Sequence, residues 1–146
     1  MREILFRGKR TDNGEWVQGD LINLADGRRF IVDNRFGACI DDKGNFINTE
    51  APFVCEVIPE TVGQYTGLTD KNGTKIFEGD ILAFSDRLVY VHWHDYCGSW
   101  DCSYIKEVKG KATLREDRSP NKWRYNAEVI GNIHDNPELL KGGGEE

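Results

Sequence analysis

The chain has 146 residues, of which 38% are hydrophobic and 30% charged, and its 19 basic and 25 acidic side chains leave a net charge of −6. That length suffices for one compact domain or two small lobes with a modest core. The acidic balance excludes a dedicated nucleic-acid coat, in which a basic face dominates, and no apolar run approaches the ~20 residues that span a bilayer.

Sixteen glycines, with 4 Trp, 5 Tyr and 7 Phe, point to β structure, because aromatics suit pleated surfaces and glycine supplies positive-φ turns. The start, Met1-Arg2-Glu3-Ile4-Leu5-Phe6, carries an acid at once and too short an apolar run for a signal peptide, so a cytoplasmic location is expected. Cys39, Cys55, Cys97 and Cys102 are then expected to be reduced, partly buried thiols.

The first turn signal is Asn13-Gly14, and Asn72-Gly73 repeats it. Asn-Gly between apolar flanks marks a β-hairpin. More than the dipeptide recurs. Phe6-Arg7-Gly8, Asn13-Gly14 and Val17-Gln18-Gly19-Asp20-Leu21 reappear as Tyr65-Thr66-Gly67, Asn72-Gly73 and Phe77-Glu78-Gly79-Asp80-Ile81, with one residue inserted after the second Asn-Gly. Everything that recurs is backbone chemistry, so two related lobes are expected, each with a tight Asn-Gly turn and a strand starting at Gly-Asp.

Asp26-Gly27 precedes Phe30-Ile31-Val32, and Lys43-Gly44 precedes Asn45-Phe46-Ile47, which continues a cadence of short strands. Ile81-Leu82-Ala83-Phe84 is apolar on both alternating faces and reads as a strand buried on two sides. Val89–Trp93 reads as its neighbour. Tyr104–Val108, Lys111–Leu114 and Trp123–Ile130 are further strand candidates. Asp135-Asn136-Pro137-Glu138-Leu139-Leu140-Lys141-Gly142 carries the one helix signal: a capping Asn, Pro in the first turn and Gly beyond the last. It would lay Leu139 and Leu140 on the sheet. The expected architecture is all-β, with two small SH3-like lobes at residues 1–58 and 59–141, a short C-terminal helix, and a glycine-rich tail at 142–146.

Two constellations carry chemistry. His92, His94, Cys97 and Cys102 offer two imidazoles and two thiolates for a tetrahedral zinc site. The cysteine spacing matches no common zinc pattern, and the same residues suit a half-exposed strand with outward histidines. Residues 104–125 hold seven basic against three acidic side chains, a net of +4 that leaves −10 for the rest. Lys106, Lys109, Lys111 and Arg115, interleaved with Tyr104, Trp123 and Tyr125, could follow phosphates and stack bases. They also suit an edge strand shielded by lysines. Asp20 and Asp80 could be paired as acid and base, but Asp after Gly at a strand start more commonly bonds its own backbone, as do Asp12, Asp70, Asn13 and Asn72 in their turns. No nucleophile elbow, phosphate loop or dinucleotide fingerprint occurs, so neither catalytic residue nor cofactor is expected.

Thr61-Val62-Gly63-Gln64-Tyr65-Thr66-Gly67-Leu68-Thr69-Asp70-Lys71-Asn72-Gly73, then Ile76–Ile81, Val129–Ile133 and Asn136–Leu140, resemble the YopX family, as does the start Met1–Arg7. The resemblance is long and ordered at both ends and thins between Asp86 and Arg124. It implies a small, mainly β protein encoded by phages and prophages, of a family without established activity. The resulting expectation is a non-enzymatic accessory or binding protein that self-associates through strand edges and aromatic patches, with a host or phage protein as a further possible partner. A small nucleic-acid-binding barrel is the alternative, and a zinc module the third reading.

Overall fold

Both Asn-Gly pairs form hairpin turns. In the first, the Arg10 N–H donates to Glu15 O at 2.9 Å across a four-residue loop. In the second, the Asp70 N–H donates to Thr74 O at 2.8 Å across three residues. Gly14 and Gly73 take φ of 72° and 82°, a region that costs a side chain but not glycine. The loops are longer than the two-residue turn that Asn-Gly most simply encodes, so the shared dipeptide supplies the positive-φ glycine rather than the whole turn. The computed structural model describes residues 3–33, 42–43, 54–84, 87–107 and 127–140. Asn45–Ile47, Lys111–Leu114 and the tail at 142–146 lie outside them.

The chain divides into two compact units, Met1–Gln64 and Tyr65–Glu146. In the first, strands β1 (Phe6–Lys9), β2 (Trp16–Asn23), β3 (Arg29–Asp33) and β4 (Val54–Val57) are antiparallel neighbours in that order. A 3-10 turn, Pro59–Thr61, then leads into β5 (Gly63–Thr69), whose first two residues pair with Arg7 and Phe6 of β1. That order is SH3-like. The fourth strand also reaches back to the first: Arg10 bridges Val57, the Thr11 N–H donates to Glu56 O, and the Ile58 N–H donates to Lys9 O at 2.8 Å. The sheet therefore closes on itself where the end of β4 meets the residues after β1. Val17, Ile31, Cys55 and Val57 fill the interior. Gly8 is there because a Cβ at that position would lie 3.0 Å from Val57 Cβ. The Thr61 hydroxyl fixes the 3-10 turn, accepting from the Lys9 N–H at 2.9 Å and donating to Ile58 O at 2.6 Å.

In the second unit β5 runs on to form a hairpin with β6 (Lys75–Phe77), and β7 (Asp80–Phe84) follows. Gly79, at φ 88°, breaks the chain between β6 and β7, and the Asp80 carboxylate accepts the Phe77 N–H at 2.7 Å. The second Gly-Asp is therefore a strand start, as its sequence suggests. The first is not: Gly19 sits inside β2, paired with Phe6 on one side and Asp33 on the other. Strands β10 (Ala127–Asn132), β7, β8 (Arg87–His94) and β9 (Ser99–Glu107) form an antiparallel sheet in that order. Ile81 and Leu82 are both 0% exposed and point to opposite faces, which confirms a strand buried on two sides. Leu82 joins Val91, Ala127 and Ile76, while Ile81 joins Leu88 and Ile105.

The C-terminal helix shrinks to a single 3-10 turn, Pro137–Leu140. Asn136 precedes it, and its backbone O accepts the Leu139 N–H at 3.0 Å, but its side chain turns to β10. Its Oδ1 accepts the Asn132 N–H at 3.2 Å, because Gly131 leaves the space the amide occupies. Leu139 packs on the Ile81 cluster, whereas Leu140 stays exposed. No helix among the described residues is long and apolar enough to cross a membrane.

Candidate functional site

Strands β8 and β9 form the longest hairpin among the described residues. Val89-Tyr90-Val91, all strand formers, lie against Cys102-Ser103-Tyr104, and the turn is Asp95–Gly98. Gly98 takes φ 60° and its N–H donates to His94 O at 2.8 Å. The pairing of Val91 with Cys102, His92 with Asp101 and Trp93 with Trp100 then assigns every side chain to a face.

One face carries Val91, Trp93, Trp100 and Cys102. Val91, Trp100 and Cys102 belong to the buried cluster, and Trp93 and Trp100 meet edge to face, with centroids 5.0 Å apart and planes at 73°. Trp93 is 42% exposed, and Tyr96 in the turn is 94% exposed. The other face carries Tyr90, His92 and His94 with Ser99, Asp101 and Ser103. The His92 and His94 rings lie 6.5 Å apart.

This alternation undoes the tetrahedral zinc reading. Cys102 points into the core side of the sheet and the two histidines to the opposite side, so the four groups do not converge. The imidazoles are also committed. His94 Nδ1 accepts the Cys97 N–H at 3.1 Å, and His92 Nε2 lies 2.7 Å from Ser103 Oγ. A neutral imidazole has one nitrogen lone pair, and in the His94 ring the Cys97 N–H already uses it. Burial first, and then the nearby Asp101, push the Cys102 thiol well above its ordinary value, which opposes the thiolate a metal needs. Among the described residues no group of three His, Cys, Asp or Glu side chains is placed to hold a metal.

The basic candidates are placed only in part. Lys106 belongs to β9, and Lys109, Lys111 and Arg115 lie outside the described residues. Asp20 is exposed on β2 opposite Val32, while Asp80 is buried at the start of β7, so the repeated carboxylates fall in different units with different surroundings. Asp12 holds Arg10 through two bonds of 2.9 and 2.6 Å.

Asp70 does far more than its turn requires. It is 4% exposed. Oδ1 accepts the N–H groups of Asn72 and Thr74 at 2.8 and 2.9 Å, and Oδ2 accepts the Val129 N–H at 2.9 Å. Burial alone would raise its carboxyl. The donors Val129, Thr74 and Asn72, with Lys71 nearby, outweigh that and hold it below the ordinary carboxylate value. The turn bonds are foreseeable from an Asp-x-Asn-Gly string. The bond to β10 has no local signal.

Comparison with known proteins agrees with this picture. The chain is similar over nearly its whole length to a solved structure, "Crystal structure of protein EF1440 from Enterococcus faecalis", at 25% identity and a TM-score of 0.50, covering 97% of this chain and 100% of that one. No curated protein matches. Residues 5–141 match the family described as YopX protein. The match spans all ten strands of the described residues, and the chain belongs to the YopX family.

Proposed function

We propose that this is a non-enzymatic binding protein of phage or prophage origin that works in the bacterial cytoplasm and associates with copies of itself through the tip of the β8–β9 hairpin. The observation that carries the reading is the aromatic tip: Trp93 and Trp100 stacked edge to face, with Tyr96 almost fully exposed beside them. Aromatics that present rigid, amphipathic area at low entropic cost are typical anchors of protein contacts. In the first unit the end of β4 is joined to the residues after β1, which shortens the edge open to such contacts. Patch pairing at the tip remains. The carboxylates that invite a catalytic role bond backbone N–H groups instead, as Asp70 and Asp80 do. The free thiols Cys97 and Cys102 suit a reducing compartment.

Sedimentation velocity across a ~100-fold concentration range tests the proposal. The expected result is concentration-dependent association, weakened at least ~10-fold in the Trp93→Ser/Tyr96→Ser variant, which is about 1.4 kcal/mol. A protein that stays monomeric throughout would overturn it. Binding of single-stranded DNA or RNA that survives physiological salt would favour the basic stretch at 104–125 over the tip.

A further inference from the structure

The outer edge of β9 holds one unusual hydrogen bond. The sheet order makes β9 terminal, and among the described residues it pairs with β8 alone. Antiparallel pairing turns the backbone groups of alternate residues towards the neighbour and those of the residues between them outwards. The Cys102 N–H, at the middle of the strand, donates to Asp101 Oδ1 at 2.8 Å. Asp101 sits on the opposite face from Cys102 and opposite His92, so its carboxylate comes round the strand to reach an N–H that β8 does not use.

The rest of the edge is self-complementary. An antiparallel partner related by a two-fold axis at Cys102 would set Trp100 against Tyr104 twice on one face. On the other face it would set Asp101 against Ser103 twice. The register joins aromatic with aromatic and opposes no like charges. Tyr104 is half exposed and available for that contact.

We propose that Asp101 is a guard residue: its carboxylate occupies the Cys102 N–H and so bars β9 from adding, antiparallel and centred on Cys102, to β9 of a second copy of this chain. Natural sheets protect free edges with charged side chains for the same reason, since an unpaired N–H row is a template for a further strand. The guard acts through the backbone edge of β9; Trp100 borders both this edge and the aromatic tip, but the label distances separate the two modes of pairing, so either proposal can fail without the other.

The test compares the wild type with Asp101→Ala and Asp101→Asn, with Cys39 replaced by Ser in all three and spin labels on the exposed Cys97. Asp101→Ala should associate at least ~10-fold more tightly than the wild type, with a population of label pairs roughly 30 Å apart, because Cys97 lies five residues from the two-fold at ~3.4 Å per residue. Pairing at the tips would bring the labels much closer. Asp101→Asn keeps an acceptor oxygen and should behave as the wild type. Circular dichroism must show both variants folded, and if Asp101→Ala fails that check, Asp101→Val, a strand former without an acceptor, takes its place. An unchanged association of the folded variant, short label distances only, or equal association of Asp101→Asn would each overturn the proposal.

Discussion

Replacing Asp70 by alanine should be among the most damaging single changes at a polar position. It removes a carboxylate that accepts three backbone N–H groups: Asn72 and Thr74 in the hairpin turn and Val129 in β10. Hydrogen bonds to a charged group contribute ~1.5–3 kcal/mol each. Asn72 and Thr74 are exposed, so their N–H groups regain water, and most of the loss falls on Val129, which is half buried. The net cost is then roughly 3 kcal/mol at pH 7. Asp70→Asn keeps an oxygen for the turn but sets an amide against one donor, for roughly 1–2 kcal/mol. The pH dependence has a definite sign. The folded carboxyl lies below its ordinary value, so its stabilisation is complete above the unfolded value of ~3.9 and is lost as pH falls towards the folded one. Urea unfolding at pH 7 and pH 3 measures both effects: the gap between wild type and Asp70→Ala should narrow at pH 3. Hydrogen exchange at Val129 should accelerate in the variant. A cost below ~0.5 kcal/mol at pH 7, the range of an ordinary surface change, would refute the reasoning.

Gly131→Ala should destabilise by ~1–3 kcal/mol in urea, because its Cβ would lie 2.8 Å from Asn136 Cγ. Asn136→Ala added to it should cost less than the two changes summed, and strict additivity would exclude the clash as the cause. Thiol labelling should separate the described cysteines: Cys97, exposed, should react at once, while buried Cys55 and the raised Cys102 thiol should react only on unfolding.

How far these features could be read beforehand depends on the range of the interaction behind them. Asn13-Gly14 and Asn72-Gly73 act within a few residues, and both hairpins are where the dipeptides place them. The two Gly-Asp pairs look alike in sequence but differ in structure, because Gly19 is flanked by paired strands whereas Gly79 turns the chain. That difference comes from neighbours, not from the string. The zinc constellation failed for a similar reason. His92 and His94 share a face by simple alternation, but the face of Cys102 depends on the register across the Asp95–Gly98 turn. The Asp70–Val129 bond spans 59 residues and leaves no local trace. Asn136 stands at the start of the turn as its sequence suggests, but the bond from its side chain to Asn132 depends on the space at Gly131 and could not be read locally.

The closure of the first unit also constrains the order of events during synthesis. Its seam joins Lys9, Arg10 and Thr11 to Glu56, Val57 and Ile58, and Phe6 and Arg7 to Gln64 and Gly63. Hairpin β1–β2 can form as soon as it clears the ribosome, but its barrel cannot shut until Gln64 has emerged. Until then Val17 and Ile31 face water, and the open flank of β1 is exposed to any strand nearby. The barrel is thus made from one continuous stretch of chain yet completed by its last residues. A translational pause that holds Gln64 inside the ribosome would prolong the aggregation-prone stage, and one after Gln64 has emerged would not.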